Sequence, residues 1–532
     1  MRQLLQAGAD PHAILLELIP ALRAQSREIS LDYARAFLDS GLPGIVAAIL
    51  QDACLRWPRD AELFYWLGNA LRMCGDLAGA EAAFRSALEV DRANDKAGLA
   101  LAHMLRDAGR LEAAADTLMQ LNDQLPASVA NTLRSVQFLE SCRRFAQAAQ
   151  LCERQLLLTA EDPQLLFFAG QMALLLGDFA LARQRLIAAL DHGLDVSVWS
   201  GVWLFLSSAR RYSAADDADL ERFRSAWNDR RLPEPARASA AFASGKAFDD
   251  LRLYPEASSA FREANALARS RHTWSAQDWQ RFVAAQIGGA ALPQLEARGE
   301  EPVIPVFVVG LPRSGTTLVA ELLGRHPQVC NRGERSWIPF LDQRLAAENA
   351  QRKPEALRRA ADLYLTHLRQ DDAPARWYID KNPLNFRHLG LIAAMLPQAR
   401  VIYCSRDRRD TALSIWCQFF EHQDNNYAYD WHDIAAFAAG EKALMAHWSQ
   451  TLRLPLHTVD YQRLVEQPEQ VLHELGDFLG LPQQELLHAP SKADTAIATS
   501  SVWQARQPVY RSSVARWRAY APYIPELDLF GS

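Results

Sequence analysis

The sequence predicts two unlike parts, an all-α solenoid of helical hairpins followed by an α/β domain built on a parallel sheet, and three observations carry that prediction. In the first half, glycines and alanines recur on a fixed 34-residue spacing. In the second half, short apolar runs each end in polar residues. Between one such run, Val306-Phe307-Val308-Val309, and a helical pattern lies the glycine-rich turn Gly310-Leu311-Pro312-Arg313-Ser314-Gly315-Thr316-Thr317-Leu318. A length of 532 residues also exceeds what one core fills, since domains run to about 100–200 residues.

The repeat grid comes first along the chain. Gly41, Gly75, Gly109 and Gly177 fall on it with one gap at Arg143, and Ala80, Ala114, Ala148 and Ala182 fall on a second register. Phe84, Leu118 and Leu186 follow four residues after their alanines, and Pro58 and Pro126 close their repeats. This period is that of tetratricopeptide repeats, in which a small alanine lets two helices approach and a glycine ends the first of them. The grid predicts units at about 27–60, 61–94, 95–128, 129–162 and 163–196, with a further one around Gly245, Phe248, Ala257, Phe261 and Ala264. Residues 197–237 lose the pattern in the aromatic run Val198-Trp199-Ser200-Gly201-Val202-Trp203. The repeat domain is therefore expected over 1–271, a linker over 272–302, and the second domain over 303–532. Stacked hairpins usually offer a concave surface to a peptide or protein, so a protein partner is expected there; the same array also serves to position the second domain or to make a homodimer.

Composition bounds the rest. Hydrophobic residues at 49% and charged residues at 23% exclude wholesale disorder and collagen-like or coiled-coil chains. A net charge of −6 and a pI near 6.1 give no global pull toward nucleic acid or an anionic membrane, so no nucleic-acid partner is expected. The seven cysteines (Cys54, Cys74, Cys142, Cys152, Cys330, Cys404, Cys417) are odd in number and mostly lie in apolar segments, which reads as reduced thiols in a cytoplasmic protein. Residues 1–10 lack a signal peptide's apolar region and no run of 18 apolar residues exists, so no membrane span is expected.

The turn at 310–318 is an anion cradle by construction: a glycine-rich loop between strand and helix aims backbone N–H groups and the positive helix end at one point. Its Gly-x-x-x-x-Gly spacing imitates the nucleotide-binding P-loop, but Thr316 and Thr317 stand where that motif needs Lys and then Ser or Thr. Without the lysine, ATP or GTP hydrolysis and a P-loop kinase are disfavoured, and Arg313 with the hydroxyls must manage the anion. Three later runs end in Asp380-Lys381-Asn382-Pro383, in Ser405-Arg406-Asp407 and in Asp460-Tyr461. Ligands of open α/β sheets bind outside such strand ends, so these tips converge. Ser414, eight residues beyond Arg406 in a helix that Asp407 or Asp410 caps, is placed to share one phosphate with it.

Pro312-Arg313-Ser314-Gly315-Thr316-Thr317 resembles the 5′-phosphosulfate loop of sulfotransferases that use 3′-phosphoadenosine 5′-phosphosulfate (PAPS), and Arg406 with Ser414 resembles their 3′-phosphate element. Over about 303–520 the chain is similar to tyrosylprotein sulfotransferases and their repeat-fused bacterial relatives, which implies a P-loop-like sulfotransferase domain with PAPS as donor and no metal. The resemblance makes Glu334 the base that takes the acceptor proton, Lys381 the group on the bridging oxygen of the leaving nucleotide, and Ser501 a helper of the transferred sulfonate. It assigns Arg313, Ser314, Gly315, Thr316, Thr317, Arg406, Ser414, Tyr461 and Arg516 to the donor. Read without it, Glu334 between Arg332 and Arg335 is as well a surface ion pair, and Tyr461 a core residue. The implied reaction is transfer of a sulfonate to an acceptor hydroxyl, a tyrosine of a recruited peptide or protein; a glycan, lipid or small-molecule hydroxyl and a non-catalytic donor-binding scaffold are the alternatives. Three departures stand out. Gln418 replaces a further arginine, Arg332 and Asp380 replace cysteines of secreted members, and Arg335-Ser336-Trp337 replaces Glu-Thr-Arg, which leaves the acceptor open. His473-Glu474 lacks the second histidine of a zinc motif.

Overall fold

The computed structural model describes residues 11–215, 217–297, 303–371, 374–420, 422–482 and 513–531. The chain falls into two compact units, one ending at Leu151 with a brief addition just beyond Arg369, the other starting at Cys152 and holding the rest.

The first unit is helical. Arg27–Asp39 pairs with Pro43–Arg56, Ala61–Met73 with Leu77–Val90, and Asp95–Asp107 with Leu111–Gln124, each within the span that the 34-residue grid assigns to a repeat. Polar residues start these helices: Asp60 accepts from the N–H groups of Glu62 and Leu63, Asn94 from Ala97 and Ser128 from Asn131. The grid alanines Ala80, Ala114 and Ala148 are fully buried. At the corners Gly75 and Gly109 take φ of +82° and +75°, and Arg143, at the gap in the grid, takes the same left-handed turn at +59°. The corner conformation is therefore kept even where the glycine is lost.

The second unit opens with hairpins of the same kind. Pro163–Leu176 pairs with Phe179–Asp191 and Glu234–Asp250 with Tyr254–Arg269, while the shorter helices Val202–Ser208 and Ala218–Asn228 occupy the span where the pattern lapses. The aromatic run there is core: Trp199 lies 5.3 Å from both Phe167 and Phe168, and Trp203 is buried. One expectation needs correcting. The stretch assigned to a linker, 272–302, contains the helix Ala276–Gly288, which packs on Trp431–Thr451. Trp279 stacks on Phe437 with ring centres 4.6 Å apart and its indole N–H donates to the Ala436 carbonyl, so burying one tryptophan fixes a helix that the surrounding polar and glycine residues hide.

The sheet is fully parallel, in the order β2-β3-β1-β4-β5, with β1 Ile304–Gly310, β2 Val329–Asn331, β3 Trp377–Asp380, β4 Arg400–Ser405 and β5 Leu456–Asp460. Every residue of β1 is buried, as a strand covered on both faces requires. Val306 and Val308 join Ala320 and Leu475 on one face, and Phe307 stacks on Tyr364 on the other. The short β2 has no apolar run of its own and escapes the sequence reading. From β1 the chain goes first to the edge strand β2, returns to β3 beside β1 and then crosses to β4 on the other side, so strand order reverses beside β1, where a crevice for ligand opens at the carboxyl ends.

Candidate functional site

Two glycines let the loop after β1 come close to its neighbours. At Gly310 (φ +143°) an added Cβ would lie 2.4 Å from the Cys404 carbonyl oxygen of β4, and at Gly315 (φ +103°) 2.5 Å from the Tyr461 ring. Any side chain there would push the loop off the sheet edge. The helix Thr316–Leu323 then begins without a side-chain cap, which leaves its first N–H groups for the loop's interior. Ser314 is buried, and its hydroxyl has no hydrogen-bond partner among the described residues. A buried orphan hydroxyl at a helix N-terminus suits an anionic group.

Arg313, at φ +71°, donates from Nε to the Ser414 hydroxyl at 3.0 Å. Arg406, just past β4, donates to the carbonyls of Arg313 (3.0 Å) and Ser513 (2.6 Å), with its guanidinium 4.7 Å from the centre of the Tyr461 ring. The Tyr461 and Ser513 hydroxyls meet at 2.8 Å. Arg313, Ser314, Gly315, Thr316, Arg406, Ser414 and Tyr461 thus gather at one edge of the sheet. Arg406 and Ser414 meet through Arg313 rather than gripping each other directly, because Ser414 lies in the second turn of the helix Arg408–Trp416. Asp407 caps that helix by accepting the Asp410 N–H at 2.9 Å.

The role of one residue here escaped the sequence reading, which offered it only as a helix cap. Asp410 accepts the N–H groups of Ala515 (2.7 Å) and Trp517 (2.9 Å) and so holds the segment that delivers Ser513. Burial pushes its carboxyl above the ordinary range, opposed by the Trp517 N–H and by Arg406. In sequence Asp410 is one more acidic residue at a helix start, and nothing local marks a partner over a hundred residues away. Arg516 pairs with Asp249 at 2.7 Å and lies over Tyr520, whose hydroxyl donates to the same carboxylate. Its charge is neutralised by the hairpin 234–269, whereas the resemblance assigns it to the donor. Ser501 lies outside the described residues.

The chemistry-bearing pair sits across β1, between β2 and β3. Beyond β2 the Arg332 N–H donates to the Ile379 carbonyl and the Lys381 N–H to the Gly333 carbonyl, both at 2.9 Å, so strand pairing continues up to Glu334. Gly333 turns the chain at φ +65°, its N–H held by the Asn331 side chain. Arg332 is buried beneath, donating to the Leu368 and Arg369 carbonyls. The Glu334 carboxylate forms an ion pair with the Lys381 ammonium; the lysine side chain is 2% exposed and the glutamate 49%. A buried ammonium needs such a partner, while the carboxylate keeps an open side for an incoming hydroxyl.

Residues 305–485 match the sequence model of the "Sulfotransferase family". An "Uncharacterized protein" of Aquifex aeolicus (strain VF5) is 32% identical over 332 residues, which take in 58% of this chain and 43% of that protein. "Protein-tyrosine sulfotransferase 2" of Gallus gallus is 24% identical over 255 residues, 43% of this chain and 67% of its own. The solved "Sulfotransferase Domain from the Curacin Biosynthetic Pathway" is 18% identical, covers 43% of this chain and 99% of its own, and superposes with a TM-score of 0.27. The chain spans less than half the length of the Aquifex relative it matches.

Proposed function

We propose that this chain, a member of the sulfotransferase family through its residues 305–485, transfers a sulfonate from PAPS to an acceptor hydroxyl, a tyrosine of a peptide or protein recruited by the repeat hairpins. The observation that carries the reading is the ion pair of half-exposed Glu334 with buried Lys381 on the same sheet edge as a lysine-free glycine cradle. PAPS supplies a sulfonate on an anhydride oxygen, with 3′-phosphoadenosine 5′-phosphate as leaving group. Ser314, Gly315, Thr316, Thr317 and the helix N-terminus would hold its 5′ side, and Arg406, Ser414 and Tyr461 its 3′ phosphate; the orphan Ser314 hydroxyl fits that use. Glu334 takes the proton of the acceptor oxygen. Lys381 and Arg313 place fixed positive charge where the leaving oxygen becomes anionic, which is most effective in a site closed to water. Ser501 and Arg516 complete the set by resemblance, the latter only once released from Asp249. The seven cysteines, none of them joined in a disulfide, suit a reducing, cytoplasmic setting.

The tyrosine acceptor and its recruitment by the hairpins are supported by the names of the animal relatives and by the repeats themselves. A glycan, lipid or small-molecule acceptor is favoured instead by Arg335-Ser336-Trp337, where Trp337 stacks on His367 at 3.8 Å. Incubating the full chain and a lysate with sulfur-35 PAPS tests the choice: label recovered as sulfotyrosine supports the first acceptor, and label in the lipid or glycan fraction the second. If neither appears, and 3′-phosphoadenosine 5′-phosphate raises the thermal midpoint no more than ATP does, the sulfotransferase reading is wrong.

A further inference from the structure

We propose that Asp380 is a positioning residue: with Tyr364 it forms a buried unit that holds the Glu334 loop against Lys381. The inference rests on the roles given to Glu334 and Lys381 above. Asp380 ends β3, directly before Lys381, and is 0% exposed. A buried carboxyl on the sheet face where Phe307 stacks on Tyr364 calls for partners. The Tyr364 hydroxyl donates to its Oδ2 at 2.9 Å. The backbone N–H groups that favour its charged form belong to Arg335 and Asn382, the residues that follow Glu334 and Lys381, and the Arg335 guanidinium adds its charge. Oδ1 makes no close hydrogen bond among the described residues, so these N–H groups act on it as oriented dipoles rather than as tight donors. The Asn382 amide meanwhile donates to the Arg335 carbonyl at 2.9 Å. One carboxylate therefore attracts both segments that carry the pair, from below and out of reach of substrate.

Burial pushes the Asp380 carboxyl up to about 7, against the pull of Tyr364, Arg335 and the two N–H groups. The groups facing it are Tyr364, raised far above its ordinary range by burial and by Asp380 itself, and Arg335; Glu334 and Lys381 follow along the two segments. The charged form is the one the two segments favour, so the pair is best held above neutrality. Stability runs the other way. A carboxyl raised from its ordinary 3.8 favours the folded state at low pH and loses that contribution as pH rises toward about 7. Turnover and thermal stability should thus move in opposite directions over one window, which a purely structural aspartate would not produce.

The test compares wild type, Asp380→Asn and Tyr364→Phe as full chains. Turnover with PAPS is followed between about pH 5.5 and 9, alongside affinity for 3′-phosphoadenosine 5′-phosphate and hydrogen exchange over residues 331–335. Wild type should show an inflection near 7. Asp380→Asn should lack it, lose roughly tenfold to a hundredfold in kcat, and keep donor-product affinity within about twofold. Tyr364→Phe should move the inflection upward, since the charged form loses a donor. An Asp380→Asn protein with the wild-type profile and rate overturns the inference. So does one whose nucleotide affinity falls as far as its kcat, and, if that variant does not fold, an unshifted inflection in Tyr364→Phe. Exchange is independent of turnover: amides of 331–335 should exchange about tenfold faster in Asp380→Asn, and unchanged exchange overturns the inference even if no acceptor is found. Wild type without any sulfonate transfer, but with that change in exchange, would instead sink the reaction reading alone.

Discussion

The hairpins 61–90 and 234–269 are built alike and used differently. In the first, Gly68 makes room for Phe84 and Ala80 is fully buried; in the second, Gly245 makes room for Phe261 and Ala257 is fully buried. In both, a Cβ on the glycine would come within 2.7 Å of the facing ring, so close helix contact is what the repeat preserves. Their polar residues diverge. In 61–90, Arg85 pairs with Glu81 on its own helix surface. In 234–269, the Asn265 amide donates to the Trp416 carbonyl, Arg262 pairs with Glu526, and Asp249 holds Arg516 and Tyr520. The period thus specifies a hairpin's inside and says nothing of what its outside serves. Cutting the chain after residue 271 would strip these partners from the α/β core, so a truncation there measures damage as well as recruitment.

The largest effect that separates the two regions is on chemistry. Glu334→Gln should lower kcat by about 10²–10⁴-fold, the range for loss of a positioned base, and should also lower the thermal midpoint, because the buried Lys381 ammonium then faces a neutral amide instead of its carboxylate. No surface substitution in 61–90 should approach that in a steady-state assay. Next is Asp249→Ala, which leaves Arg516 and Tyr520 without their shared acceptor. Since both ends of that pair are about a quarter exposed, a cost of about 2 kcal/mol in denaturant unfolding is expected. The matching change in the other hairpin, Arg85→Ala, removes only an exposed pair and should cost under about 0.5 kcal/mol. If the two costs came out equal, the distinction between the hairpins would be lost.

What the sequence reveals follows the same division. Repeat units, the cradle at 310–317, Arg406, Ser414 and Tyr461 are legible because each signal is local: a period, or a polar cluster where a strand meets a helix. In the structure helical hairpins follow the repeat grid, and Arg313, Arg406, Ser414 and Tyr461 lie together at one sheet edge, Arg406 and Ser414 joined through Arg313. Asp249, Asp380, Asp410, Tyr364 and Ser513 are not legible, since each matters through a partner far along the chain. β2 is three residues long and leans on β3 for its pairing, and the helix 276–288 is fixed by Trp279 in a stretch with linker composition. Local pattern identifies elements; long-range polar contacts, which leave no periodic trace, decide which element carries a site.

A comparably small effect tests the corners at which the hairpin helices turn. Arg143 and Arg252 take φ of +59° and +60° at the corner where Gly75, Gly109 and Gly177 take +75° to +90°. A side chain in that left-handed turn crowds its own backbone by roughly 1 kcal/mol, while glycine's extra freedom in the unfolded chain returns part of the gain. Arg143→Gly and Arg252→Gly should therefore each stabilise the protein, by about 0.5 kcal/mol, read as a small rise in denaturant midpoint at unchanged slope. Arg143 stands 5.9 Å from the Phe145 ring, a cation–π contact worth about 0.5 kcal/mol when exposed, which trims its share. A larger gain at Arg252 than at Arg143 would match the cation–π contact that Arg143 gives up; a larger gain at Arg143 would contradict it.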